Sequence, residues 1–269
     1  MHRTFLVAVF LMLFSSGFSQ KRLKDKFDYK VTYELSYRID SLNLDEQKSE
    51  KMILFLGDDL SLFSSRAKTL ANQYVIKGNM GHTSREAVTD FLFTRLKSRE
   101  TGKIYSTVEL AKDQFYYEQK QDLFDWEIHP DTRTIKGYQS QKATTSFAGR
   151  DYVAWFSPEV PIPDGPYKFN GLPGLILEIA DTREHWVFSF VGLESFSPPK
   201  PFRLNFKHFI QLEKEPLMER FNDYRRDPLG YAWKQGLSQN VTMDPKDHKK
   251  LVKMFEQRLE KMNNPLELE

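Results

Sequence analysis

The stretch FDYKVTYELSYRI, residues 27–39, decides the fold. Its odd positions are all apolar or aromatic: Phe27, Tyr29, Val31, Tyr33, Leu35, Tyr37 and Ile39. The positions between them are all polar. A helix would space its apolar residues by three and four, so strict alternation gives a long strand with one dry and one wet face. Such strands belong to antiparallel sheets covered on one side. Aromatic residues make up 14% of the chain, with Phe the commonest, and they suit a pleated, half-buried surface.

Further strands are read outward from this one. KMILFLGDDLSLFSS, residues 51–65, predicts a hairpin turning at Gly57-Asp58-Asp59. Helical patterns follow over 66–77 and from a Thr83 cap through Arg95. Strand patterns resume at 103–109, 113–119 and 123–129, and Asp131-Thr132 reads as a turn. Strands over 134–147 and 151–157 are divided at Gly149. Residues 175–180 and 185–193 form a hairpin closed through 181–184. SPPKP, residues 197–201, punctuates the chain with two rigid turns. Beyond it the pattern turns helical. Asp244 as N-cap with Pro245 at the first helical position starts a final amphipathic helix. Its apolar stripe is Leu251, Met254, Phe255, Leu259 and Met262, a docking surface and not a cofactor box.

The expected fold is α+β: a large curved antiparallel sheet, with a half-open barrel as its alternative form. Helices should pack on one face, and the C-terminal amphipathic helix should dock outside. The expected divisions are a signal peptide over 1–19, a sheet domain over 20–196, and a mainly helical extension over 197–269 packed on the same domain. The first of these rests on a short basic head at His2 and Arg3, an apolar run over 5–14, and small residues at Gly17 and Ser19. That run is about half of the roughly 20 residues a spanning helix needs. Cleavage after Ser19 would leave a chain beginning at Gln20, in the periplasm or secreted. Without a cysteine there is no site for a lipoprotein anchor.

Composition narrows the function classes. A formal charge of +2 with interspersed acids and bases gives no nucleic-acid footprint. With no cysteine there are no disulfides and no thiol nucleophile, which fits a bacterial envelope protein that stands on its core alone. No Gly-x-Ser-x-Gly elbow or phosphate-cradling loop is present. The histidines His82, His129, His185, His208 and His248 lack a second histidine at zinc spacing. Asp58-Asp59 sits in a turn, where aspartate serves the backbone. Asn240-Val241-Thr242 matches a glycosylation sequon, and reads more simply as the polar lead into the last helix. No catalytic residue, metal ligand or cofactor is assigned.

One loop stands out. GPYKFNGLPGLILEI, residues 165–179, sets a rigid turn before a wholly apolar run. Pro173-Gly174 suits the centre of a type II turn. One reading is a hard corner that sets strand register. The other is a preorganised mouth in which Trp155, Phe156, Tyr167 and Phe169 hold a ligand or partner, shaped by Pro163, Gly165, Pro166, Gly171, Leu172, Pro173 and Gly174.

The segment also carries a resemblance. Gly171 to Ile176 spells GLPGLI, preceded by Ile135, Gly137 and Tyr138, by Lys142 to Thr144, and by Gly149-Arg150 and Ala154-Trp155. Pro161-Ile162-Pro163, Gly165-Pro166 and Phe169 complete it. The chain thereby resembles the GLPGLI family of exported Bacteroidota proteins. The resemblance covers about a quarter of the chain and implies an exported protein of unknown activity. It also implies a TonB-dependent outer-membrane transporter as a partner, because members are often encoded beside one. Members commonly carry a cysteine where this chain has Ser140, so no thiol role carries over.

Three functions stand open from the sequence. The first is a non-enzymatic envelope protein holding a small or apolar ligand, or a transporter. The second is a hydrolase or peptidase with an unfamiliar site. The third is an interaction role without a cavity.

Overall fold

The computed structural model describes residues 21–69, 89–237 and 243–268. The signal-peptide reading, the 70–77 part of the first helix, the Thr83 cap and the sequon fall wholly or partly outside them. Twelve strands form one sheet among the described residues. They are β1 (Arg22–Tyr37), β2 (Lys48–Gly57), β3 (Leu60–Ser65), β4 (Thr94–Ser98), β5 (Lys103–Leu110) and β6 (Asp113–Lys120). The rest are β7 (Glu127–Ile135), β8 (Tyr138–Phe147), β9 (Arg150–Ser157), β10 (Leu175–Asp181), β11 (Trp186–Asn205) and β12 (Phe209–Gln211). The order β12-β6-β5-β4-β3-β2-β1-β11-β10-β9-β8-β7 is two meanders joined at β1 and β11. β12 pairs parallel to β6; the other pairings are antiparallel. Three helices follow: α1 (Lys214–Arg226), α2 (Pro228–Lys234) and α3 (Pro245–Glu260).

The alternation of β1 is interrupted once. The pairing with β2 shifts between Phe27 and Tyr29, so Asp28 is an extra residue. Such a bulge flips every following side chain to the other face. Val31, Tyr33, Leu35 and Tyr37 therefore enter the main core, while Leu23 and Phe27 join a second cluster with Leu60, Leu96, Tyr105 and Phe206. The odd positions serve both faces instead of one. Across the sheet, β11 absorbs four residues against that one, passing from Ser195 opposite Tyr29 to Lys200 opposite Phe27. Pro198 and Pro199 lie in this gap, where no ladder N–H is needed. β11 thus runs through the punctuation read at 197–201.

Other differences are local. Asp131-Thr132 lies inside β7, and the chain turns instead at Lys136 (φ 50°) and Gly137 (φ 93°). Two successive positive φ values match a two-residue hairpin turn. Thr94 and Arg95 belong to β4 and not to a helix. The β2–β3 hairpin forms as read, clasped by the Asp25 carboxylate, which accepts from the backbone N–H of Asp59 and Leu60. Asp59 in turn accepts from Ser98 Oγ and Glu100 N, so this acidic turn is used in holding the backbone.

α1 buries Leu217 and Phe221 against Val108, Phe115 and Tyr117. These share a face with Arg95 and Lys97 through the β4–β5–β6 register. α3 starts as read, with Asp244 accepting from Lys246 N and Pro245 in the first turn. It has no fully buried residue, and Met254 is exposed.

The sheet bends. β4 and β10 are five positions apart, or about 24 Å across a flat sheet at the usual strand spacing. Yet Lys97 Nζ of β4 donates to Gly165 O at 2.8 Å, and the adjoining Asp164 O accepts from Ile176 N of β10 at 2.9 Å. The inner face is therefore the one that carries the main core.

A Cβ on Gly174 would lie 2.2 Å from Ser157 O and 2.6 Å from Ser157 C, backbone atoms that cannot move aside. Gly192 faces open space. Urea unfolding should show Gly174→Ala destabilised by about 3 kcal/mol and Gly192→Ala changed by less than about 0.5 kcal/mol.

Candidate functional site

The segment between β9 and β10 folds back over the inner face. Its backbone closes on itself through Leu175 N to Val160 O (2.9 Å) and Gly171 N to Pro163 O (3.2 Å). Gly174 N donates to Leu172 O at 2.8 Å, a three-residue turn around Pro173. The corner is thus tighter than the type II turn read from the sequence. Pro173 suits its centre, and Gly174 is required by its approach to Ser157.

Polar groups fasten the segment from beneath. Lys97 is 2% exposed, pairs with the Asp164 carboxylate, and donates to Gly165 O (2.8 Å) and Phe169 O (3.2 Å). Burial lowers its pKa, and Asp164 opposes that shift. Tyr33 OH donates to Ile176 O at 2.7 Å, and Trp126 Nε1 to Asn170 O at 2.9 Å. Phe169 is fully buried among Phe124, Phe147 and Tyr152. Removing that ring from water stabilises by about 2–3 kcal/mol.

The structure does not assemble the expected aromatic mouth. Phe156, Phe169 and Leu172 are core residues. Gly165, Pro166 and Gly174 are buried in the turns; Pro163, Gly171 and Pro173 are on the surface. Trp155 lies on the outer face, its ring 4.1 Å from the Arg133 guanidinium. Tyr167 lines a pocket.

That pocket, about 410 Å³, lies between the inner face, α1 and the C-terminal tail. Phe91, Phe93, Trp186, Met218 and Phe221 give it apolar walls. One end is charged. Lys168 and Lys214 both pair with Glu267, which also accepts from Tyr167 OH. Tyr167 is held at φ 57°, a left-handed conformation rare outside glycine, which aims its ring at this cluster. Arg95 packs 4.6 Å from the Phe93 ring and 5.2 Å from that of Tyr167. It is 7% exposed, and its Nε and Nη1 hydrogens meet no acceptor among the described residues.

The electrostatics of the cluster follow from burial set against these cations. Burial alone would raise the Glu267 pKa, but Lys168, Tyr167 and Arg95 outweigh it and bring it to about 2. Burial would likewise raise the Tyr117 phenol, yet Arg95 and Lys168 facing it leave it below its ordinary value. Tyr167 moves the other way, well above its ordinary value, through burial and then Glu267. This end of the pocket therefore holds a positive potential.

Elsewhere, His248 Nε2 lies 2.9 Å from Asp227 Oδ1, whose oxygen also caps α2 at Gly230 N. That pair joins helices. Among the described residues no three His, Asp or Glu side chains group as metal ligands.

A family described as a protein of unknown function (Porph_ging), a Bacteroidota-associated family, matches residues 148–178. This segment runs from the start of β9 through the fold-back to β10 and holds Asp164, Tyr167 and Lys168. No curated protein matches the sequence. Among solved structures, PNGF-II in a P21 crystal form is similar with a TM-score of 0.53 and 13% identity, over 74% of this chain and 34% of that one. PNGF-II in a C2 form gives 0.53 and 13%, over 75% and 33%. The chain spans about a third of the length of PNGF-II, and at this identity the likeness concerns the fold alone.

Sequence reading missed Arg95, Lys168, Lys214 and Glu267. The available signal was Arg95 and Lys97 at period two around Leu96, two cations on one face of a short strand.

The Glu267 carboxylate has a testable pH signature. A folded pKa of about 2, below the ordinary 4.5, stabilises the protein above pH 5. That stability is lost as pH falls through 4.5 toward 2. At pH 7 it amounts to about 3 kcal/mol. Glu267→Gln should therefore be less stable than the parent by about that much at pH 7. Chemical denaturation at stepped pH should show the gap narrowing between pH 5 and pH 3.

Proposed function

We propose that the chain is an exported, non-enzymatic cell-envelope protein that holds a small, largely apolar ligand on the inner face of a half-barrel. The observation that carries this reading is the pocket beneath α1, with its aromatic and methionine walls. Its volume falls in the range of small-molecule sites. Its rigid frame supports the same reading, because a preformed site loses little entropy on binding. The TonB-dependent transporter remains a proposed partner, resting on the GLPGLI resemblance. The surface turn at Gly171 and Pro173 is the part of that motif open to it.

Native mass spectrometry of the protein isolated from a bacterial envelope, beside a denatured sample, tests the carrier reading. A small co-purifying mass is expected, and Met218→Trp, which fills the pocket, should lose it. A clean apo mass in both samples would overturn the reading.

A further inference from the structure

We infer that the pocket beneath α1 takes an organic anion: one acidic head group seated at Arg95, on an apolar body lying among Phe93, Trp186 and Phe221. This names the ligand class for the pocket of the proposed function and rests on that reading.

The first ground is a buried cation with unused hydrogen-bond donors. A buried charge is ordinarily paired or fully hydrogen-bonded, since leaving one unpaired is costly. Arg95 is 7% exposed and lines the pocket, yet its Nε and Nη1 hydrogens have no acceptor among the described residues. The rings of Phe93 and Tyr167 shelter the flat guanidinium, and its polar contact with Tyr167 leaves the Nε and Nη1 hydrogens unused.

The second ground is that the acids lining the pocket are otherwise engaged. Glu267 is bound by Lys168, Lys214 and Tyr167. Asp90, at the opposite end, is bound by Arg258 (2.6 Å) and Tyr37 (3.3 Å). Glu215 is exposed to solvent. Near Arg95, therefore, three cations face one carboxylate, and an incoming anion would balance the excess.

The third ground is the contrast between the two parts of the pocket. The walls offer aromatic rings and methionine to a body that water rejects, while the charged end offers guanidinium hydrogens. A neutral apolar ligand would leave the Nε and Nη1 hydrogens of Arg95 buried without an acceptor. A small hydrophilic anion would leave the walls unused. An amphiphilic anion satisfies both, and hydrogen bonds from a charged donor to a charged acceptor are the stronger kind.

Isothermal titration calorimetry of the folded chain with decanoate, decyl sulfate and decanol tests the assignment. Decanoate is expected to bind at least tenfold more tightly than decanol. Arg95→Met should abolish that preference, bringing decanoate affinity down to that of decanol. Where Arg95→Met fails to fold, Lys214→Met at the pocket rim replaces it, with a smaller loss of the same preference expected. Decyl sulfate separates head-group chemistries: binding as tight as decanoate extends the site to any compact anion, and weaker binding narrows it to carboxylates. Equal affinity for decanoate and decanol in the parent protein would overturn the anion assignment and leave the apolar pocket standing. Failure of all three probes to bind would overturn both.

Discussion

A single ammonium group holds the inner face together. Lys97 rises from β4 into the interior and is met there by the Asp164 carboxylate and by two carbonyls, Gly165 O and Phe169 O. A lysine stripped of water is costly unless its donors are filled, and these acceptors all come from the fold-back between β9 and β10. Segment and strand are thereby committed to one relative position. The same fastening spans the bend of the sheet, because it joins β4 to a segment whose Asp164 O is bonded to Ile176 N of β10, five places away. Buried ion pairs of this kind add little net stability over apolar packing. What this one fixes is register: it selects the arrangement in which Phe169 fills the core and Tyr167 turns toward the pocket.

A second polar fastening ties in the chain's last described residues. Arg150 pairs with Asp181 at 3.0 Å and donates to Pro265 O at 2.6 Å. Tyr152 OH donates to Leu266 O at 3.1 Å, and Trp186 Nε1 to Asn264 O at 3.2 Å. The tail is thus laid along the inner face, and Glu267 arrives among the cations of the pocket. Arg150, Tyr152, Asp164, Tyr167 and Lys168 all fall within the segment matched by the family of unknown function. Its glycines and prolines make the fold-back tight enough to lie down. Its buried polar residues decide what the fold-back touches.

Most strands were legible because alternation and turn chemistry are local properties. The β1 pattern, the β2–β3 hairpin and the Asp244-Pro245 helix start are each written within a few residues. The bulge at Asp28 was not legible. Asp28 looks like any polar position, and its extra place is set by the prolines that β11 brings opposite, far along the chain. The prolines themselves read as an end of strand, since nothing local says that a bulge will receive them. The site was hidden for a related reason. Arg95, Lys168 and Glu267 lie on three distant elements, and no spacing in the sequence announces that they meet. The aromatic mouth failed because β9 alternates: Phe156 must face in if Trp155 faces out.

The most direct measurement is a double-mutant cycle on the Lys97–Asp164 pair, with Lys97→Met, Asp164→Leu and both together, read by equilibrium unfolding. Each single change strands one buried charge and should cost about 3–5 kcal/mol, while the double change should cost clearly less than their sum. Additive losses would mean that the two side chains act independently, and the account of the fold-back as fastened through Lys97 would be wrong.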